Sequence, residues 1–433
     1  MTGPRQRTGS PPEPPSIQRL RDDGDFRRYW LSRVTSLSGS VITFVAMPVL
    51  VYRLSGSALL TALVTGLEAA PYLLFGLFAG ALADRWDRRV VMVVADVVCA
   101  CVVASVPITY WVGLLTVPHL LVVAFLGPAI ATFFDGANFG ALPVLVGRGR
   151  VAQANAAVWG AQTAIEIALP SLVGFSLAVI YPADLLVLDA LSFAASAICV
   201  AGITRPLYDR SRAGKPLSVR GLLGDIGEGL TYLVHHAGVR TMTIIGTVQC
   251  MAGGGFVALM VVWCDRVLHV GTQGLRFGLV FGSWSVGALI ASAMLPQLLK
   301  VATAARIALY AVPVSTVLGA AVGLAPNWQL ATVGLLSWGA AYMLVVVNTI
   351  SYRQQVTPEP LLGRVNTAGR MLSWGVGWTL GAVAGGVLSH QIGVRPAMVT
   401  MASLSVVAVL VAWTSPLRTH GVLSGMLEEP PRG

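Results

Sequence analysis

The chain has 433 residues, 55% of them hydrophobic and only 11% charged, with 29 lysines and arginines against 19 aspartates and glutamates. A water-soluble domain carries about 25% charged residues, and the mean hydropathy here is +0.74. This composition excludes a soluble globular protein and places most of the chain in lipid.

The chain opens on MTGPRQRTGSPPEPPSIQRL, which is polar and proline-rich and lacks the apolar core and small-residue cleavage site of a signal peptide. Residues 1–28 are predicted to form a disordered cytoplasmic tail, so the first apolar segment is its own insertion signal. A crossing helix needs roughly 20 apolar residues, since it rises about 1.5 Å per residue through a hydrocarbon core about 30 Å thick. Spans are predicted near 30–53, 58–82, 90–112, 116–146, 152–180, 184–203, 239–264, 274–295, 304–323, 328–352, 364–390 and 393–415. They are too long and too uniformly apolar for the strands of a membrane barrel. The expected fold is therefore an all-α polytopic membrane protein with twelve transmembrane helices.

Between the second and third spans lies GALADRWDRR, a knot of charge in apolar surroundings. Gly80 allows close approach of two helix backbones. Asp84 can accept charge-assisted bonds from arginines or a helix N-terminus. Between the sixth and seventh spans, residues 204–238 form the longest internal polar stretch, and Val219, Leu222, Leu223, Ile226, Leu230, Leu233 and Val234 stand at helical spacing opposite Asp225 and Glu228. That pattern predicts an amphipathic helix on the cytoplasmic face. The linker separates an N-terminal six-helix half, 29–203, from a C-terminal half, 239–415, and residues 416–433 form a second cytoplasmic tail.

The halves echo one another. Asn138, Leu142, Pro143 and Val146, then VAQAN, follow the fourth span; Asn348, Gln355, Val356 and Pro358, then LLGRVN, follow the tenth. Paired, pseudo-symmetric halves of this kind recur among secondary transporters. Of the basic residues, only Arg53, Arg266, Arg276 and Arg395 fall in loops on the side away from the termini. This bias predicts both termini in the cytoplasm of a multi-pass cell-membrane protein. It also spreads the net charge of +10 over short loops that meet anionic lipid headgroups, without a nucleic-acid partner.

GALADRWDRR resembles the signature loop of the major facilitator superfamily. Gly80, Leu82, Ala83, Asp84, Arg85, Arg88 and Arg89 match, while Asp87 stands where the pattern has a second glycine. The resemblance implies that this loop latches the halves together on the cytoplasmic side when the carrier faces outward, with Asp84 and Arg88 as partners. FRRYWLSRVTSLSGSVITFVAMPVLVYRLSGSALLTALV, RRVVMVVADVV, FFDGANFGALPVLV, AQAN and LLGRVNTAGRMLSWGVGWTLGAVAGGVL, in that order, resemble the bacterial drug:proton antiporter branch that includes macrolide and enterobactin exporters. In the fifth span, Pro170 and Gly174 of EIALPSLVG match that branch's antiporter element, with Leu169 replacing its first glycine; there the element helps close the path against leak.

The chain has no GxxxxGK[ST] loop, and its only lysines are Lys215 and Lys300, so transport is expected to run on a gradient rather than on a nucleotide. A proton-coupled carrier needs a group that changes charge within the bilayer, where an ionised carboxylate costs about 2.5–3.5 kcal/mol. Glu68, near the middle of the second span, and Glu166, near the middle of the fifth, are the candidates for proton coupling or substrate contact. Asp96, Asp135 and Asp189 read as carboxylates nearer span ends, paired or interfacial. Two departures leave uncoupled export, or coupling through another carboxylate, as alternatives. The fourth span lacks the arginine many such antiporters carry, and Ser40 follows Gly39 where relatives often place an aspartate.

Phe44, Tyr72, Phe133, Trp159, Trp284, Trp338, Trp374 and Trp378 are the aromatic candidates for a cavity between the halves, Trp374 and Trp378 sharing one helix face. Aromatic walls with few charges suit a bulky, lipophilic or cationic small molecule. The expected protein is a monomeric exporter exchanging such a molecule for protons by alternating access. A lysolipid or lipid flippase of the same fold, and a transporter-shaped sensor, are the alternatives. An enzyme is not expected, because the six histidines lie in loops or at span ends without metal-ligand spacing. No cofactor or metal is expected, and the five cysteines read as small buried hydrophobes.

Overall fold

The computed structural model describes residues 20–83, 86–207 and 219–418. Parts of the expected tails, 1–28 and 416–433, and of the linker, 204–238, lie outside the described residues. Twelve segments are long and apolar enough to cross a membrane. In the first half these are α1 (Gly24–Ser55), α2 (Ala58–Ala83), α3 (Arg88–Trp111), α4 (Val117–Val146), α5 (Val151–Ser176) and α6 (Pro182–Ala201). After α7 (Val219–His235) come α8 (Ala237–Arg266), α9 (Gly274–Val301), α10 (Ala304–Gly323) and α11 (Trp328–Val356). The eleventh span is composite: α12 (Glu359–Arg370), a π-helical stretch (Met371–Trp378) and α13 (Thr379–Ile392) run on without a break. The twelfth joins α14 (Val394–Ser403) to α15 (Ser405–Thr414).

Local chemistry sets the helix ends. α1 begins at Gly24, ahead of the expected start near residue 30, because the Asp23 side chain accepts from the N–H groups of Asp25 and Phe26 at 3.2 and 3.3 Å. It ends at Gly56, whose φ of 62° suits a glycine C-cap. Asp87, in place of the signature's second glycine, caps α3 by accepting from the Arg89 N–H at 2.9 Å. Asn327 caps α11 through the Leu330 N–H at 2.9 Å. In the π-helical stretch, Gly375 and Gly377 lie where Leu73 of α2 and the Thr247 carbonyl of α8 press on the backbone.

Charged bonds tie the first half together at the end where the chain enters it, here called the terminal end. Arg88 is buried, and its Nη1 donates to the Gly140 carbonyl at 2.9 Å and the Leu207 carbonyl at 3.2 Å, joining α3 to α4 and to the segment after α6. Arg89 donates to the Arg205 carbonyl at 2.7 Å, and Arg205 pairs with Asp23 at 2.6 Å. Hydrogen bonds from a charged group contribute about 1.5–3 kcal/mol. Arg88→Gln is therefore expected to lower the unfolding midpoint of the detergent-solubilised protein, read by intrinsic fluorescence. Within the C-terminal half, α7 packs on α12: Glu228 pairs with Arg364, and Leu233 is buried in a cluster with Val239 and Val365. Val234, predicted on the apolar face of α7, is exposed.

The two halves share a buried apolar seam at the far end, opposite the terminal one. Val45 and Val49 of α1, Ala62 of α2 and Val173 of α5 belong to one cluster with Phe256 and Leu259 of α8, Phe277 of α9 and Ala382 of α13. That seam closes the far end over the cavity described next.

Candidate substrate cavity

A cavity of about 260 Å³ is walled mostly by the first half and bounded on one side by the second. Its walls come from α1 (Ser40, Thr43, Phe44), α2 (Thr65, Glu68, Tyr72), α4 (Gly127, Pro128, Ala131) and α6 (Asp189, Phe193). The other half supplies Trp374 and Trp378, whose rings stack at 5.0 Å and 16° and roof the space. The volume is just under the ~300 Å³ at which small-molecule pockets usually begin.

Two carboxylates line this cavity. The Oε2 atom of Glu68 is buried and has no hydrogen-bond partner among the described residues. Asp189 is held on both sides: the Thr43 hydroxyl donates to Oδ2, and the Ser192 hydroxyl donates to Oδ1 at 3.2 Å. Asp189 is thus buried rather than interfacial and, among the described residues, is not paired with a cation, contrary to its sequence reading. α6 starts only at Pro182, which sets Asp189 two turns into the span, and Gly39 of α1 leaves room for it. A Cβ on Gly39 would collide with Asp189 and Ser192. Asp189 of α6 thus packs directly against Gly39 of α1, a relation no local motif carries. Asp96 is likewise buried, accepting from Ser196 Oγ at 2.5 Å, and Ser196 meets Ser32 at 2.7 Å. Asp135 pairs with Arg33 at 3.4 Å and accepts from the Tyr72 hydroxyl at the same distance.

Other predicted site residues lie elsewhere. Glu166 is exposed on α5, accepts from Gln162 Nε2 at 2.8 Å and does not line the cavity. Trp159 is also exposed on α5 and away from it. Trp284 and Trp338 are core residues of the second half: their rings lie 4.6 Å apart, Phe256 packs on Trp338 at 4.5 Å, and Trp338 Nε1 donates to Ser315 Oγ at 3.1 Å. Helical spacing could not tell which neighbour each face of α9 and α11 meets. Phe44 and Tyr72 do line the cavity. Of the signature loop, Gly80 and Leu82 fall in the last turn of α2, while Asp84 and Arg85 lie outside the described residues. Pro170 is buried, and Gly174 lies at the crossing of α5 with α9, where a Cβ would stand 2.5 Å from Gly278 Cα. Among the described residues, no group of three or more His, Cys, Asp or Glu is placed to hold a metal ion.

The model of the family described as transmembrane secretion effector matches residues 19–425. The chain belongs to this family of major facilitator transporters. Multidrug efflux pump Tap of Mycolicibacterium fortuitum is 26% identical over 389 residues, 87% of this chain and 93% of that protein. Macrolide efflux protein A of Streptococcus pyogenes is 25% identical over 223 residues, so the match spans about half of either protein, 51% of this one and 54% of that one. A crystal structure of a mutant nucleoside transporter NupG superposes with a TM-score of 0.70 at 14% identity, covering 90% of this chain and 99% of that one; the likeness is one of fold.

The transporter also carries a polar clamp across its far end that the sequence did not announce. The Tyr52 hydroxyl at the end of α1 donates to Asp265 Oδ2 at 2.7 Å and accepts from Arg266 Nε at 3.0 Å, both at the end of α8. Arg53 donates to Thr272 Oγ1 at 3.3 Å and Gln273 Oε1 at 2.8 Å. The arginines of the loops away from the termini were legible only as charge; that Arg53 and Arg266 bridge the halves of the transporter required the fold.

Proposed function

We propose that this transporter exports a lipophilic small molecule by alternating access in exchange for protons, with both termini in the cytoplasm of a cell-membrane protein. The reading rests on Glu68: a carboxylate with a buried, unpartnered oxygen on the wall of an apolar, aromatic-roofed cavity. A charge left there without a donor is costly in the bilayer, so the site is suited to binding a proton in one half of the cycle and releasing it in the other. The efflux names of the relatives support export as the direction. With the termini inside, the seam and clamp at the far end support reading this state as inward-facing. Gly174 then serves to seal that end, and the GALADRWDRR loop, with Arg88 and Arg89 anchored to the first half, to latch the opposite end when the carrier turns outward.

The test uses everted membrane vesicles energised to acidify their interior, with a pH-sensitive dye and a panel of lipophilic antibiotics, dyes and lysolipids. Release of protons on adding an antibiotic or dye is the expected result. Response to lysolipids alone would favour lipid flipping. Movement of labelled substrate down its own gradient without proton release would sink the coupling.

A further inference from the structure

On the terminal side of Trp374, which it shares with the cavity, lies a separate narrow cleft of about 20 Å³ lined by Arg353 and Arg370. Arg353, near the end of α11, is 3% exposed; its Nε donates to Asn366 Oδ1 at 3.1 Å, and its guanidinium lies so close over Gly369 that a Cβ there would collide with it. Arg370 lines the same cleft, is exposed, and stands 5.8 Å over the ring of Tyr72 from the opposite half. Ser373 adds a hydroxyl, that of Thr349 donates to the Val346 carbonyl at 2.8 Å, and Trp374 borders both this cleft and the main cavity. Among the described residues, no carboxylate lies within ion-pair distance of either guanidinium. The acid across Tyr72, Asp135, is already paired with Arg33.

Burying a cation without a counter-charge costs several kcal/mol, and a second cation beside it adds repulsion. Such an arrangement is relieved when an occupant brings the negative charge. A guanidinium fork matches carboxylate, sulfonate and phosphate oxygens in pairs, and the hydroxyl of Ser373 is a further donor. An anion held there would leave the rest of its molecule against the Trp374 face.

We infer that Arg353, Arg370 and Ser373 form an anion subsite beside the cavity. Its ligand is an organic anion: a carboxylate, sulfonate or phosphate joined to a flat apolar body. That this ligand is the exported solute rests on the efflux reading above; that the subsite binds an anion does not.

The test is equilibrium binding of tritiated 1-naphthoate and of its neutral isostere 1-naphthamide to the purified full-length protein in an uncharged maltoside detergent. No gradient is present, so failure of proton coupling leaves this readout untouched. Naphthoate is expected to bind at least about tenfold more tightly than naphthamide, a preference lost in Arg370→Gln and kept in Lys300→Gln; tenfold is about 1.4 kcal/mol. Arg353→Gln should act like Arg370→Gln, and the exposed Arg370 keeps the test sound if the Arg353 variant fails to fold. Equal affinity for the two probes, or a preference that survives Arg370→Gln, overturns the subsite. An anionic lipid headgroup offers the same chemistry, so the titration is repeated in phosphatidylcholine nanodiscs with and without phosphatidylglycerol. Naphthoate binding undiminished by phosphatidylglycerol supports a free organic anion; its loss overturns the solute assignment and gives the arginines to lipid.

Discussion

Glu68→Gln is expected to retain downhill exchange of substrate and to lose uphill accumulation. One proton moving through about 100 mV supplies about 2.3 kcal/mol, enough for somewhat over tenfold accumulation of a neutral solute. In everted vesicles the accumulation ratio of labelled substrate should therefore fall from above ten, on that same arithmetic, to about one, and substrate-induced proton release should vanish. The choice of Glu68 over its neighbours follows from partners. Asp135 is tied to Arg33, and Asp189 is held by two hydroxyls, whereas Glu68 has a buried oxygen with no donor among the described residues. Gln keeps the shape of the wall and removes only the titrating group. Glu166→Gln is the parallel variant: Glu166 is exposed, accepts from Gln162 and does not line this cavity, and loss of coupling there instead would move the role to α5. Wild-type accumulation in the Glu68 variant would refute its role and turn attention to Asp189.

A second large effect is expected from Gly174→Leu. A single Cβ at this position would stand 2.5 Å from the Gly278 Cα and 3.0 Å from its nitrogen, and both are backbone atoms that cannot swing aside. Overpacking of this kind costs about 1–3 kcal/mol, and it is charged only against the state in which the far ends of α5 and α9 touch. The balance between the two facing states should move about 5- to 150-fold toward the one open at the far end. Spin labels at Ser57→Cys and Gln273→Cys in a cysteine-free background would read this as a longer distance population. Tyr52→Phe, which removes the hydroxyl shared by Asp265 and Arg266, should shift the balance the same way by a smaller amount. An unchanged distance distribution in Gly174→Leu would show that the crossing is not a gate.

Hydropathy alone was enough to find twelve spans, because a helix in lipid must satisfy its backbone internally and must be long enough to cross. The ends were harder, as α1 shows: Asp23 is a cap, and a cap is a local hydrogen bond that a hydropathy window averages away. Trp374 and Trp378 were legible as a pair because their relation is internal to one segment. Trp338 and Trp284 were not, since their burial depends on Phe256 and Ser315, brought up from α8 and α10. Asp189 was misread for the same reason. Its environment is made by Gly39, Thr43 and Ser192, and only the first helix packing on the sixth brings Gly39 and Thr43 to it. The arginine cleft and the far-end clamp likewise join residues distant in sequence, and neither has a motif.

The π-helical stretch gives the roof of the cavity an unusual way to change. A π turn holds one residue more than an α turn, and such irregularities cluster at functional positions. Removing one residue between Met371 and Trp378 would let the helix return to regular α geometry. The change would be absorbed inside the stretch, so the anchors of α12 and α13 could stay in place while Trp374 is re-aimed against Trp378 by up to about 100°, the angle one residue subtends on a helix. A descendant of this gene could thus acquire a new ligand spectrum by losing a single codon, a shorter evolutionary path than rebuilding the aromatic lid one substitution at a time.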